Sequence, residues 1–393
     1  MTSSQLLVRP LAPSELIHFR FKVYVGYSTR VRGRLDLAVL AQAFETLRDA
    51  YPVLSTRVVP HDTSGPVIAA APEYAAAVSE VGGPVADPLF ELPELDSRAA
   101  AIHTVRGADD TAAVTLLTHH AVADGHHSLH LLSELWHYYT AHAAGLPPVP
   151  ARHDYPHSLE YLLAERGFGT ATAFELPDMD VFETLADGLP GPAERTRTRL
   201  SAAQTRALHA TGRQHGTTIN GLVSAALLAA TAQSRGVEID SLHYTYPVDL
   251  RSRLSPRVGY PEGTNVLGLA YFAAEPGSDH DLIGLAQAIT GSLRAGIATG
   301  AIFTGSAELA SMMSPEALAS VLTSTNWGVI APLSTPDDLA IEDFHPLMPD
   351  SPLLAVTPHV ITTYDGQLTI DTRAHTPDAG RLLGEHLHRL AAL

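Results

Sequence analysis

"LLTHHAVADGHHSLHLL", residues 116–132, sets five histidines around one aspartate and one glycine. The run "AAVTLLT" (112–118) that leads into it is short and apolar, so it reads as a buried strand. "SLHLLSELWHYYTAHAAG" (128–145) follows with apolar residues at helical spacing and ends on Gly145. A strand thus ends, a turn of small residues intervenes, and a helix begins. Three readings compete for the histidines: a metal site, a proton-transfer site, or a histidine-rich helix start without chemistry.

Metal binding needs two or three imidazoles or carboxylates on one side of the chain. Adjacent strand residues such as His119 and His120 point to opposite faces. His126 and His130 share a helix face, yet no glutamate lies between them as in a metalloprotease helix. No metal is therefore expected. Proton transfer asks less. His120 stands at the strand end, where a side chain can project into a cleft, and an imidazole titrates near neutrality. Asp124 precedes Gly125, a pair that suits a turn on local grounds alone. An ordinary Asp-Gly turn beside surface histidines and a proton-transfer site fit these residues alike.

The rest of the chain bounds the answer. Its 393 residues suffice for two domains, and 45% hydrophobic against 17% charged residues supply a sizeable core. Cysteine is absent, which excludes disulfides, a thiolate nucleophile and cysteine-held metal and fits a reducing, cytoplasmic setting. No secretory signal is evident at the N-terminus. "TTINGLVSAALLAATAQS" (217–234) carries too many polar residues for a membrane span and reads as a buried helix. The net charge of −17 argues against nucleic acid as a partner. Arginines nonetheless cluster in "RTRTRLSA" (195–202), and Arg195, Arg197 and Arg199 are candidates for docking an anionic donor.

Elsewhere, "KVYVGYSTRVRG" (22–33) alternates as a strand, Asp36 caps a helix over 37–50, and "PVLSTRVV" (52–59) reads as a strand. The proline-rich stretch 145–157 and the irregular stretch 176–192 bracket a domain crossover. Beyond it lie helices near 201–215, 217–234 and 279–298. Strands are expected at 241–250, 265–274, 325–333, 353–364 and 367–374, with a last helix from about 377. Strands and helices mix without strict alternation, which predicts α+β layers.

"HHAVADG" (119–125) resembles the HHxxxDG signature of the condensation-domain and CoA-dependent acyltransferase superfamily. Three further segments agree in order: "VRGRLDLAVLAQAFETLRDAYPVLSTRV" (31–58), "YPVDLRSRLSP" (246–256) and "TNWGVI" (325–330). Within the superfamily the chain is most similar to polyketide-associated acyltransferases of the phthiocerol/phthiodiolone dimycocerosyl transferase type. The resemblance implies two chloramphenicol-acetyltransferase-like subdomains, 1–175 and 176–393, in a V-shaped pseudo-dimer with a tunnel between them.

It also implies roles. An acyl group would pass from a thioester of CoA or of an acyl carrier protein to an alcohol, or an amine, with no bound cofactor. The second motif histidine, His120, would be the general base. Asp124 and Gly125 would support the site, with Asp124 paired to Arg251 of "PVDLR" and Arg253 as the competing partner. His119, Asn326 and Trp327 would line the tunnel, while His126, His127 and His130 would take no part in the chemistry. The superfamily's DFGWG motif is replaced here by Asn326-Trp327-Gly328, which leaves Trp327 a core aromatic. Two rival functions stand beside this: a non-acylating condensation-like cyclase or carrier-binding scaffold, and a metal-dependent hydrolase.

Overall fold

A computed structural model describes residues 6–71, 77–146, 148–168, 194–277, 281–304, 320–349, 358–374, 376 and 378–393. The chain forms two compact units. One comprises 1–170, 250–267 and 332–351; the other comprises 171–249, 268–331 and 352–393. A division into two continuous blocks at 175/176 therefore needs amendment, because two segments of the second half group with the first unit. The boundary itself falls outside the described residues.

The first unit is built on a five-stranded sheet. Its order is β12 (Leu339–Leu347), β2 (Tyr24–Gly33), β7 (Thr111–His119), β6 (Ala100–Arg106) and β5 (Val78–Gly82). β2 pairs antiparallel with β7 along its whole length, from Tyr24 opposite His119 to Arg32 opposite Thr111. Helices α2 (Leu37–Ala50) and α3 (Gly125–Ala143) pack on each other, and α3 also packs on β2. Asp36 caps α2 as its sequence predicts, accepting the Ala38 and Val39 N–H groups. "PVLSTRVV" is a strand only over Thr56–Val59. Pro52, with its fixed φ and no N–H, opens a 3₁₀ turn over Pro52–Ser55 instead.

β12 is the element the sequence conceals. A register shift between Ile341 and Asp343 breaks its alternation, so the buried positions are Leu339, Phe344, Pro346 and Leu347. Pro346 is tolerated because the strand lies at the sheet edge. The join to β2 is tight: Gly33 has φ +119°, and a Cβ there would lie 2.1 Å from the Asp338 carbonyl oxygen.

The second unit carries a six-stranded sheet, β10 (Leu267–Ala273), β9 (His243–Asp249), β11 (Val321–Val329), β13 (Pro358–Tyr364), β14 (Gln367–Ala374) and β8 (Glu194–Arg199). β11 runs parallel to both β9 and β13, and the β13–β14–β8 run is antiparallel. Helix Ile219–Arg235 is buried on most sides against helices Leu282–Thr299 and Ala379–Ala391, as its apolar composition predicts. No helix among the described residues is long and apolar enough to cross a membrane.

Candidate active site

β7 ends at His119, and the side chains of the two histidines then part. His119 is 2% exposed and turns inward: Tyr24 meets it edge-on at 4.9 Å, and its Nδ1 accepts the Ala121 N–H at 3.1 Å. Burial pushes its pKa down to about 3, with His120 adding to the effect. His120 is partly exposed. Its backbone N–H still bonds the Val23 carbonyl at 2.8 Å, so the ring projects from a fixed strand end.

Asp124 decides where α3 begins. Its Oδ1 accepts the His127 N–H at 2.9 Å, an N-cap that starts the helix at Gly125, three residues earlier than the apolar periodicity suggests. Its Oδ2 takes the Val266 N–H at 3.0 Å and the Arg251 guanidinium at 2.8 Å. Both side chains of this ion pair are buried, and Arg253 is exposed. Burial alone would raise the Asp124 pKa, but Arg251 and the His127 N–H hold it below the usual carboxylate value. Gly125 is buried beneath the Tyr27 hydroxyl, which donates to its carbonyl.

Two residues that no motif announced complete the site. Asn265 is 4% exposed, and its Nδ2 donates to the His120 carbonyl at 2.8 Å. A carbonyl can only accept, so the amide oxygen must face His120 Nδ1, 3.0 Å away. Nδ1 therefore carries the proton, and Nε2 presents a lone pair on the ring's other side. Burial lowers the His120 pKa from 6.5, with a hydrogen bond to its own backbone, then Asp124 and Asn265, pulling the other way, so the ring is neutral at pH 7. His18, on α1 (Pro13–Arg20), stacks on His120 with ring centroids 3.9 Å apart and planes 1° from parallel.

The segment 264–266 ties these parts together. The Thr264 carbonyl accepts the Asp124 N–H at 2.7 Å, and its hydroxyl donates to Glu15 of α1. Glu15 is fully buried and also accepts from the two terminal guanidinium nitrogens of Arg9, Nη2 and Nη1, at 2.6 and 2.7 Å.

The other candidate residues lie elsewhere. His126 and His130 sit on α3 beside the exposed Tyr260, and His127 is buried with its pKa pushed down to about 3. Asn326 and Trp327 belong to the second unit. There Asn326 donates to Asn220 at 3.0 Å, and Trp327 is 6% exposed. Arg195, Arg197 and Arg199 line one side of β8, also in the second unit, with Arg197 3.5 Å from Asp371. Among the described residues, no three His, Asp or Glu side chains gather so that they could hold a metal ion.

Residues 189–373 match the family described as phthiocerol/phthiodiolone dimycocerosyl transferase C-terminus. A phthiocerol/phthiodiolone dimycocerosyl transferase of Mycobacterium tuberculosis is 31% identical to the chain, over 96% of this chain and 94% of that protein. The chain belongs to this transferase family. It is an acyltransferase. The structure of polyketide synthase associated protein 5 from M. tuberculosis superposes on this acyltransferase with a TM-score of 0.81 at 30% identity, covering 99% of this chain and 98% of the other. Trichothecene 15-O-acetyltransferase from Fusarium sporotrichioides shares the fold at a TM-score of 0.69 and 11% identity, over 99% and 96% of the two chains. Both units of the acyltransferase thus combine sheet and helices in the manner of condensation and acetyltransferase domains.

Proposed function

We propose that the acyltransferase moves an acyl group from a thioester to a hydroxyl of a lipid or natural-product acceptor, with His120 as general base. The observation that carries this is the fixed tautomer of His120. Asn265 holds Nδ1–H, so the partly exposed ring offers a basic Nε2. The lowered pKa keeps that nitrogen unprotonated at neutral pH. Nε2 takes the acceptor's proton as its oxygen adds to the thioester carbonyl. Collapse expels a thiol, and the same proton passes to sulfur. The Asp124–Arg251 pair supports the base by holding the start of α3 against segment 264–266.

A thioester of CoA and one of carrier-bound phosphopantetheine both bring phosphate, which Arg195, Arg197 and Arg199 would dock. The names of the relatives favour a lipid alcohol over an amine as acceptor. A cytoplasmic site of action is part of the same reading. His120→Ala with an acyl-CoA donor and a primary alkanol tests the assignment. The kcat should fall by ~10²–10⁴, the usual contribution of a general base, with folding retained. Near-normal turnover would overturn it.

A further inference from the structure

The reaction assigned to His120 creates a charge that the residues named so far do not meet. As the hydroxyl oxygen bonds to the thioester carbon, the carbonyl π pair moves onto oxygen, and that oxyanion needs a hydrogen-bond donor. The side chain stacked on the base is His18, at 3.9 Å between ring centroids. The two rings are held by different parts of the first unit. His120 is fixed by the end of β7 and by Asn265. His18 is fixed by α1, which Glu15 anchors to Arg9 and Thr264.

The protonation of His18 follows from its surroundings. Among the described residues its Nδ1 is buried without a hydrogen-bond partner. A buried N–H with no acceptor is a rarer orphan than an unused lone pair, so the proton of the neutral ring sits on Nε2. Burial, and then His120 and His119, push the His18 pKa well below 6.5, so the ring is neutral. His18 is partly exposed, and with Nδ1 the buried nitrogen, Nε2 lies toward the open side. The stacked pair thus combines a lone pair on His120 Nε2 with an N–H on His18 Nε2.

We propose that His18 is a second catalytic residue whose Nε2–H donates to the oxyanion of the tetrahedral intermediate. The proposal rests on His120 being the base. In the forward step the C–O bond forms, His120 Nε2 takes the hydroxyl proton, and the oxyanion accepts from His18. In the collapse the oxygen's electron pair returns, the C–S bond breaks, and the His120 proton passes to sulfur. His18 keeps its own proton throughout, so one thioester and one alcohol give one ester and one thiol.

The test compares His18→Phe, which keeps a flat ring without the N–H, with His18→Gln, whose amide nitrogen reaches about as far as Nε2. Thiol release from an acyl-CoA in the presence of a primary alkanol gives kcat and KM, and thermal melts report folding. His18→Phe should lose ~10²–10³ in kcat, the cost of removing one oxyanion donor, with KM little changed. His18→Gln should recover at least about tenfold of that loss. If Phe lowers the melting temperature, the shorter His18→Asn replaces it, with the same loss expected. Parent-like kcat in the donorless variant, or equal losses for it and His18→Gln, would overturn the role. His120→Ala separates the two claims: near-normal turnover there removes the base and this inference together. An inactive His120→Ala beside a fully active His18→Phe removes only this inference.

Discussion

Replacing Asp124 with alanine would leave the Arg251 guanidinium, 4% exposed, without its carboxylate. Two unit charges about 4 Å apart attract by about 4 kcal/mol at an effective dielectric of ~20, and breaking a buried pair from one side costs ~3–5 kcal/mol. The same carboxylate caps α3 through the His127 N–H, which adds about 1 kcal/mol. Asp124→Ala should therefore lose roughly 4–6 kcal/mol, a large part of the 5–15 kcal/mol that folds a typical domain. Arg251→Ala should cost less, about 3 kcal/mol. The stranded carboxylate keeps the His127 and Val266 N–H groups and lies at a helix N-terminus. Asp124→Asn restores the cap but not the charge and should remain close to Asp124→Ala. In the double mutant neither charge is stranded, so its cost should fall short of the sum by about 2 kcal/mol or more.

The two tryptophans make the assay clean: Trp136 lies on α3 in the first unit and Trp327 in the second. In a Trp327→Phe background, urea unfolding followed by Trp136 fluorescence reads the first unit alone. Additive losses within about 0.5 kcal/mol, or an Asp124→Ala protein as stable as its parent, would refute the reasoning. A stable but inactive Asp124→Ala would instead assign Asp124 to substrate contact.

Three further outcomes are expected. Asn265→Ala should lower kcat about tenfold or more with little change in KM, because the His120 ring loses the acceptor that selects its tautomer, and steady-state kinetics decide this. The first unit should be acid-sensitive. Burial holds His119 and His127 at about 3 in the fold, while the unfolded chain takes up protons below ~6.5. Their contribution is complete above ~6.5 and declines as pH falls toward the folded value, by about 2 kcal/mol each at pH 5; equal urea midpoints at pH 7 and 5 would contradict this. Arg195→Gln with Arg199→Gln should raise the donor KM and weaken its salt dependence, whereas a KM unchanged across ionic strengths would point to another donor site.

Much of this protein is legible without coordinates because its information is local. The strand–turn–helix around residues 112–143, the Asp36 cap and the buried helix over 219–235 follow from periodicity, capping and turn chemistry, each of which acts over a few residues. The motif residues His120 and Asp124 stand out for the same reason, and the resemblance pointed to Arg251.

What sequence could not supply is registered over long distances. β12 joins the first unit's sheet from more than 300 residues beyond β2, and its bulge erases the alternation that would have marked it. Asn265 lies 145 residues from His120, and only the pairing of segment 264–266 with Asp124 and α1 brings its amide to the ring. His18 sits in a helix of negligible amphipathicity, so no pattern marks it. A side chain's tautomer and its stacking partner are properties of neighbours in space. The backbone that delivers those neighbours is fixed by tertiary hydrogen bonds and burial, which leave no periodic trace in the chain.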